Sequence, residues 1–331
     1  GRRARVTIYA DLAGQNASAV AALADRGTCT LILDHHRPDA VRRPHVWLVN
    51  PELAGLSGDL DCSASALAYE FGRRLVPETV RYVDLGVLGA LGDGQVVNGK
   101  LRGLNARSLT EAVAAGFVTR VEDDVRLATF SRFDGRPGAA LAADLTRLGS
   151  VGYYGDGPAL GVAACRNGFD ERVWSRLQDL TALEAERFAA MEAKLRQGGV
   201  RRLGRVQWFD VEGHFAPMGV KSVGTFCQRV AAAEWADPAA YVVGMQPLPG
   251  EIHGLGRFDW DLRKVSIRVP TRLAREVLAG RSPDLMQLVP AACGVVGGFA
   301  DGCHRLAAAA TIPACTAEAF IQALARAAER G

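Results

Sequence analysis

The segment Thr30-Leu31-Ile32-Leu33-Asp34-His35-His36 constrains this chain more than any other. A short apolar run bounded by polar residues reads as a buried strand of a parallel sheet. In open α/β sheets, chemistry collects at the carboxyl ends of such strands. A carboxylate followed by two imidazoles at that point is a candidate metal or phosphate site. The alternative is a histidine-bearing loop that holds no ligand, and the rest of the chain has to decide between them.

The residues before it form a β-α-β pattern. Arg5-Val6-Thr7-Ile8-Tyr9-Ala10 is β-branched and apolar and ends at Asp11. Gly14-Gln15-Asn16 reads as a turn, and Ala17 to Ala24 as a packed helix closed by Arg26-Gly27, with Gly in the C-cap role. A right-handed crossover makes the two strands parallel neighbours. Asp11 and Asp34-His35-His36 are therefore expected at one edge of one sheet.

Composition narrows the class. With 331 residues the chain has room for two domains. The net charge of +3 gives no global argument for a polyanion, so a nucleic-acid site has to be a local patch. Lys occurs only at Lys100, Lys194, Lys221 and Lys264, and the Arg bias is chain-wide, which makes it a poor guide to function. The seven cysteines include no C-x-x-C pair, which argues against a zinc ribbon and a secreted disulfide framework and for a reduced, cytoplasmic setting. No apolar run approaches the roughly 20 residues of a membrane span, and no signal peptide is visible. The start at Gly1-Arg2-Arg3-Ala4-Arg5 reads as the interior of a longer chain.

Further along, Val46 to Val49 reads as a strand, Ser63 to Leu75 as an amphipathic helix, and Tyr82 to Leu91 as an apolar helix ending at Gly92-Asp93-Gly94. Leu104 to Arg147 looks helical with interruptions at Gly116 and Gly135 to Gly138, and Val151 to Pro158 is turn-rich. Asp170 to Arg196 has the spacing of one long helix, stopped by Gly198-Gly199 and expected to bridge two domains. Beyond it, Arg205–Val211, Ala240–Gly244 and Lys264–Val269 are strand-like, with helices expected at Phe226–Ala233 and Thr271–Leu278. Gly294 to Pro313 reads as a glycine-rich loop holding His304 and then a small-residue stretch, and Ala317 to Arg330 as a terminal helix.

Acids and imidazoles without clustered thiolates suit Mn²⁺ or Mg²⁺ better than structural zinc. A carboxylate can bridge two such cations, an arrangement used for phosphoryl hydrolysis. Glycine lets backbone N–H groups approach an oxyanion, and Arg268 can grip a phosphate through two donors. Each feature also has a plain structural reading: Asp93 as a turn residue, Arg268 as a surface side chain, His304 as a structural histidine.

Taken together, the motifs resemble the DHH/DHHA1 phosphoesterase superfamily, in particular its archaeal-type RecJ-like exonucleases, over essentially the whole chain. Tyr9-Ala10-Asp11 is similar to the second motif, Asp34-His35-His36 to the name-giving third, and Leu88 to Asp93 to the fourth. Asn50-Pro51 with Ser63 to Tyr69 resembles the stretch after the DHH triplet. Val265 to Arg268 and Gly297-Gly298 through His304 to Ala308 resemble the DHHA1 domain. The resemblance implies an α/β fold: a parallel-sheet DHH domain over residues 1–168, a connecting helix over 169–199, and a smaller α/β DHHA1 domain over 200–331.

It also implies roles. Asp11 would bridge two Mn²⁺ ions (Mg²⁺ being possible), His35 and Asp93 would ligate one of them, Asp34 would orient that shell, and His36 would contact the scissile phosphate. Arg268, Gly297, Gly298 and His304 would hold the terminal nucleotide in an interdomain cleft. The implied activity is metal-dependent phosphodiester hydrolysis of single-stranded DNA or RNA, or of short oligonucleotides. Two departures stand against it. The family's first motif, His-x-Asp-x-Asp, has no counterpart before Asp11 and is expected upstream, and Cys303 stands where the family usually has Gly. They keep open a Cdc45-like replication scaffold with GINS and MCM as partners. A small-molecule phosphoesterase acting on cyclic dinucleotides is a third reading.

Overall fold

The computed structural model describes residues 5–25, 27–121, 123–252 and 254–329. In chain order these form β1 (Val6–Ala10), α1 (Ala17–Leu23), β2 (Cys29–Leu33), β3 (Val46–Val49), α2 (Ala64–Leu75), α3 (Val83–Gly92), α4 (Gly103–Ala114), β4 (Val118–Thr119), β5 (Thr129–Phe130), β6 (Arg136–Pro137), α5 (Gly138–Ser150), α6 (Gly157–Asn167) and α7 (Glu171–Lys194). There follow β7 (Arg201–Leu203), β8 (Val206–Asp210), α8 (Ser222–Ala231), β9 (Tyr241–Pro247), β10 (Glu251–Ile252), β11 (Gly256–Arg257), β12 (Leu262–Arg268), α9 (Thr271–Leu278), α10 (Leu285–Val296), β13 (Phe299–Cys303), β14 (Ala307–Pro313) and α11 (Ala317–Glu329). The chain divides into two compact units, one of residues 1–146 with 162–171, the other of 147–161 with 172–331. Among the described residues no helix is long and apolar enough to cross a membrane.

The first unit is built on a parallel sheet of order β1-β2-β3. The central strand is buried from Thr30 to Leu33, as an apolar run covered on both faces must be. Ile32 points to one face and packs with Ala17 and Ala21 of α1 and with Val46. Leu31 and Leu33 point to the other and pack with Cys62, Leu67 and Phe71 on and before α2. Helix α2 starts where its sequence says it should, because the Ser63 hydroxyl accepts from the Ala66 N–H at 3.2 Å. The register pairs Ala10 with Leu33 and Leu33 with Val49. Asp11, Asp34 and Asn50 each follow the last residue of a strand, so they stand in a row along the carboxyl edge.

Two local expectations fail. The stretch from 104 to 147 is not continuously helical: β4, β5 and β6 form a small antiparallel sheet within it. Strands of two residues are too short to carry a periodic signal. Gly27 does not cap α1, which ends at Leu23 with Ala24 in extended conformation and its N–H bonded to Val20 O; Arg26 lies outside the described residues. The opening Gly1 to Ala4 and the terminal Arg330 lie outside them as well.

A buried ion pair ties this unit together. Arg132 donates to Asp84 through Nε at 2.7 Å and Nη2 at 3.0 Å, and the Asp84 side chain is fully buried. The same guanidinium donates to the carbonyls of Arg81 and Arg166 and lies 5.2 Å over the Tyr82 ring. One side chain thereby joins α3, the segment before β6 and the end of α6.

The second unit holds a six-stranded sheet of order β13-β14-β12-β9-β8-β7, antiparallel except for β8 with β9. Tyr241, Val243, Met245, Val265, Ile267, Ala310 and Ile312 alternate onto one face and form a core with α10 and α11. Helix α8 contacts β9 and β12. Helix α7 belongs to this unit and buries Val173, Leu177, Leu180, Phe188 and Met191 at the expected spacing. Phe188 reaches Phe215 and Phe226 at ring distances of 5.2 and 5.0 Å. The turn after α7 contains Gly198 at φ 99°, in the left-handed region that glycine enters without cost.

The segment from 294 to 313 differs most from its sequence reading. It contains the end of α10 and the β13–β14 hairpin rather than a glycine-rich loop. The alanines of β14 alternate between buried and half-buried, so small residues serve here as strand positions against α10.

Arg132→Met should cost about 3–5 kcal/mol in urea unfolding, because Asp84 is left charged and buried without its partner. Replacing Asp84 by Leu in the same chain should recover most of that loss.

Candidate metal centre

Four side chains with ligand atoms converge at the carboxyl edge of the parallel sheet. One atom each from Asp11, Asp34, His35 and His36 lies within 4.8 Å of the others. The fifth residue expected from the sequence, Asp93, follows α3 and places Oδ2 3.6 Å from His35 Nε2. Asp11 Oδ1 approaches the same nitrogen to 3.2 Å. The first unit therefore brings Asp11, Asp34, His35, His36 and Asp93 together.

Local backbone conformation explains how. Asp11 has φ 63° and Ala13 φ 77°, both left-handed. For a non-glycine residue that region costs roughly 1–2 kcal/mol. The two residues reverse the chain sharply after β1, and this brings the Gly14 N–H to 2.6 Å from Asp34 Oδ2. Asp34 is buried with both oxygens engaged. Its Oδ1 accepts from the His35 N–H at 2.8 Å and from His36 Nδ1 at 2.7 Å. Burial pushes the Asp34 carboxyl up, but the hydrogen bond and charge of His36, with the Gly14 and His36 amides, outweigh it and hold the group below its usual range. Asp34 is thus placed to hold the loop and the His36 ring. With Nδ1 on Asp34, the nitrogen His36 has left to present is Nε2.

The His35 ring is buried, and its Nδ1 lies 2.8 Å from Gly58 O. That carbonyl can only accept, so Nδ1 carries a proton, and Nε2 is the ring nitrogen turned to Asp11 and Asp93. Burial by itself lowers the His35 pKa, but the hydrogen bond with Asp11, the Asp93 charge and the Gly58 carbonyl raise it to about 9. Two carboxylates on one imidazole nitrogen call for positive charge between them. A buried, oriented imidazole and two partly exposed carboxylates are a fitting donor set for an oxygen-preferring divalent cation such as Mn²⁺ or Mg²⁺. Gly58 is required for contact: a Cβ there would sit 1.8 Å from His35 O.

Sequence reading missed the residues behind the ligands. Gln95 and Asn105 are almost wholly buried, and Gln95 Nε2 lies 2.7 Å from both Gly58 O and Asp93 Oδ2. An isolated Gln after a turn and an Asn inside a helix carry no spacing signal. The only hint was that Gln95 stands two residues after Asp93.

In the second unit the structure brings Arg268 and His304 near one sheet end, because Arg268 pairs with Ala307 and the His304 N–H bonds to Ala307 O at 2.8 Å. The Arg268 side chain is partly buried and reaches backbone oxygens of Ile267 and Ala308, so it is not a fully exposed surface side chain; desolvation lowers its pKa. Gly297 and Gly298 do not join this pair. Gly297 caps α10 at φ 66°, and the following Phe299 pairs with Thr311. Four strand residues separate Thr311 from Ala307, about 13 Å at 3.3 Å per residue. The residues that do flank His304 are Gly302 and Cys303 at the end of β13, and Cys303 is buried.

No family model and no curated protein matches the chain at the level of sequence. Solved structures do match. A DHH domain described as belonging to a family of ribosomal proteins aligns with TM-score 0.59 at 14% identity, over 97% of this chain and 69% of its own. RecJ from Thermus thermophilus in complex with Mn²⁺ aligns with TM-score 0.58 at 19% identity, over 99% of this chain and 45% of its own. RecJ from the same organism in complex with Mg²⁺ gives 0.50 at 17% identity, over 99% of this chain and 50% of its own. The fold is that of DHH-domain proteins. The chain spans half or less of the RecJ length it matches.

Gly58→Ala should cost about 3 kcal/mol, the upper end of overpacking penalties, because the nearest atoms are backbone and cannot rotate away. Thermal unfolding of the metal-free protein measures this directly, and an unchanged midpoint would contradict the described packing.

Proposed function

We propose that this chain is a DHH-superfamily phosphoesterase that hydrolyses phosphodiester bonds of single-stranded nucleic acid or short oligonucleotides, in the manner of a RecJ-like exonuclease. The observation that carries the reading is His35 Nε2 held between the Asp11 and Asp93 carboxylates. The likeness to Mn²⁺- and Mg²⁺-bound RecJ supports it at the level of fold.

Asp11, His35 and Asp93 would hold the divalent cation. When bound, such cations supply a water of lowered pKa and neutralise charge developing on the phosphate. The chain's own residues do the rest. Gly58 O fixes the His35 ring through Nδ1, so that Nε2 is the nitrogen turned to Asp11 and Asp93, where a cation would take the place of its proton. Asp34 fixes the His36 ring through Nδ1, and Nε2 would be the atom that hydrogen-bonds a phosphate oxygen. In the second unit, Arg268 and His304 would bind a nucleotide phosphate. Arg268 is partly buried with its guanidinium held by backbone carbonyls, so ordering it costs little on binding.

The test is release of mononucleotides from an end-labelled single strand with Mn²⁺ or Mg²⁺, with a dinucleotide as a second substrate. Asp93→Ala and His36→Ala should each lower the rate by at least roughly 100-fold, the lower end for loss of a general acid–base or charge-stabilising group. Arg268→Ala should raise KM with less effect on kcat. A metal-dependent rate unchanged by Asp93→Ala would overturn the reading.

A further inference from the structure

Behind the candidate ligands lies a chain of amides whose direction is fixed at one end. The backbone N–H of Ser63 can only donate, and it meets Asn105 Oδ1 at 3.0 Å. Asn105 therefore turns its Nδ2 outward, where it donates to Gln95 Oε1 at 2.6 Å. That leaves Gln95 Nε2 to face the site with its two N–H groups. One is within 2.7 Å of Gly58 O and the other within 2.7 Å of Asp93 Oδ2. Every amide orientation follows from its neighbour and none is free to flip without breaking a bond. Asn105 is itself fixed, because its backbone N–H bonds to Asp61 O at 3.2 Å.

Both groups at the end of the chain belong to the proposed metal centre. Asp93 is a ligand in that reading, and Gly58 O is the acceptor that orients His35. Gly58 is held from its other side as well, its N–H donating to Glu52 Oε1 at 2.7 Å. Gln95 is 2% exposed, so water does not compete for these bonds.

We propose that Gln95 is a positioning residue for the metal centre and that Asn105 acts only through it, as the device that sets which way the Gln95 amide points. This rests on the metal-binding reading of Asp11, His35 and Asp93. Gln95 touches neither cation nor substrate. It aims the Asp93 carboxylate and supports the carbonyl that selects the His35 tautomer. Outer-shell partners of this kind typically change metal affinity by roughly 10–100-fold.

The mutual dependence of the two amides gives the test its discrimination. Gln95→Met keeps the volume and removes the donors. Asn105→Asp keeps the acceptor for Ser63 but offers Gln95 Oε1 a carboxylate, so the Gln95 amide turns round and presents its oxygen to Asp93. Mn²⁺ affinity is measured by calorimetric titration of the wild type, both single variants and the double variant, each first shown to keep the wild-type helical signal. The two singles should each bind Mn²⁺ about 10–100-fold more weakly. The double variant should be no weaker than Gln95→Met, because Asn105 has nothing left to orient. Nuclease activity of Gln95→Met should recover at correspondingly higher Mn²⁺, a rescue that a merely structural loss would not show.

Wild-type affinity in either single variant, or losses that multiply in the double, would overturn the proposal while leaving the metal centre intact. A wild type that binds no Mn²⁺ would instead overturn the metal reading, and the proposal with it. Should Gln95→Met fail to fold, Asn105→Asp, which leaves Gln95 in place and conserves shape, still decides the matter through its affinity alone.

Discussion

The carboxyl edge of the first unit depends on one hydrogen bond, from His35 Nδ1 to Gly58 O. An imidazole has two nitrogens and the neutral ring has one proton. Whichever nitrogen is engaged by an acceptor leaves the other as a lone pair. By placing a carbonyl, which cannot donate, against Nδ1, the fold makes Nε2 the nitrogen that faces Asp11 and Asp93. Gly58 can approach that closely because it has no side chain, and Glu52 holds it there from behind. The site's chemistry is thus decided by backbone placement before any cation or substrate is considered.

Asp34 performs the complementary task for the other histidine. It is buried, and its oxygens collect two backbone amides of its own loop, that of Gly14, and the His36 ring. The Asp34-His35-His36 triplet therefore divides its labour. The acid organises, the first imidazole faces the carboxylates, and the second is aimed by the acid. The left-handed Asp11 and Ala13 are the local cost of bringing Gly14 to Asp34.

What sequence revealed follows the range of the forces involved. The parallel pairing of β1 and β2 was legible because burial on both faces leaves an unbroken apolar run, and pairing then fixes Asp11 beside Asp34. Helix α2 was legible from the helical spacing of its apolar residues, and α7 from its repeat of buried Val173, Leu177 and Leu180. The antiparallel β4-β5-β6 sheet was illegible because its strands are two residues long. The β13–β14 hairpin was hidden because alanine and glycine fit loop and strand alike, and only packing against α10 selects the strand. Gln95 and Asn105 could not be read at all, since their importance lies in contacts 37 and 42 positions away, to Gly58 and Ser63.

Ser63 has two roles that belong to different scales. Its hydroxyl caps α2, and its backbone N–H starts the amide chain that ends on Asp93. The helix packed beneath β2 and the carboxylate facing His35 are therefore ends of one hydrogen-bonded line. A partly folded first unit in which α2 has not docked has no means of orienting that carboxylate. Docking of α2 and orientation of that carboxylate therefore draw on one set of hydrogen bonds.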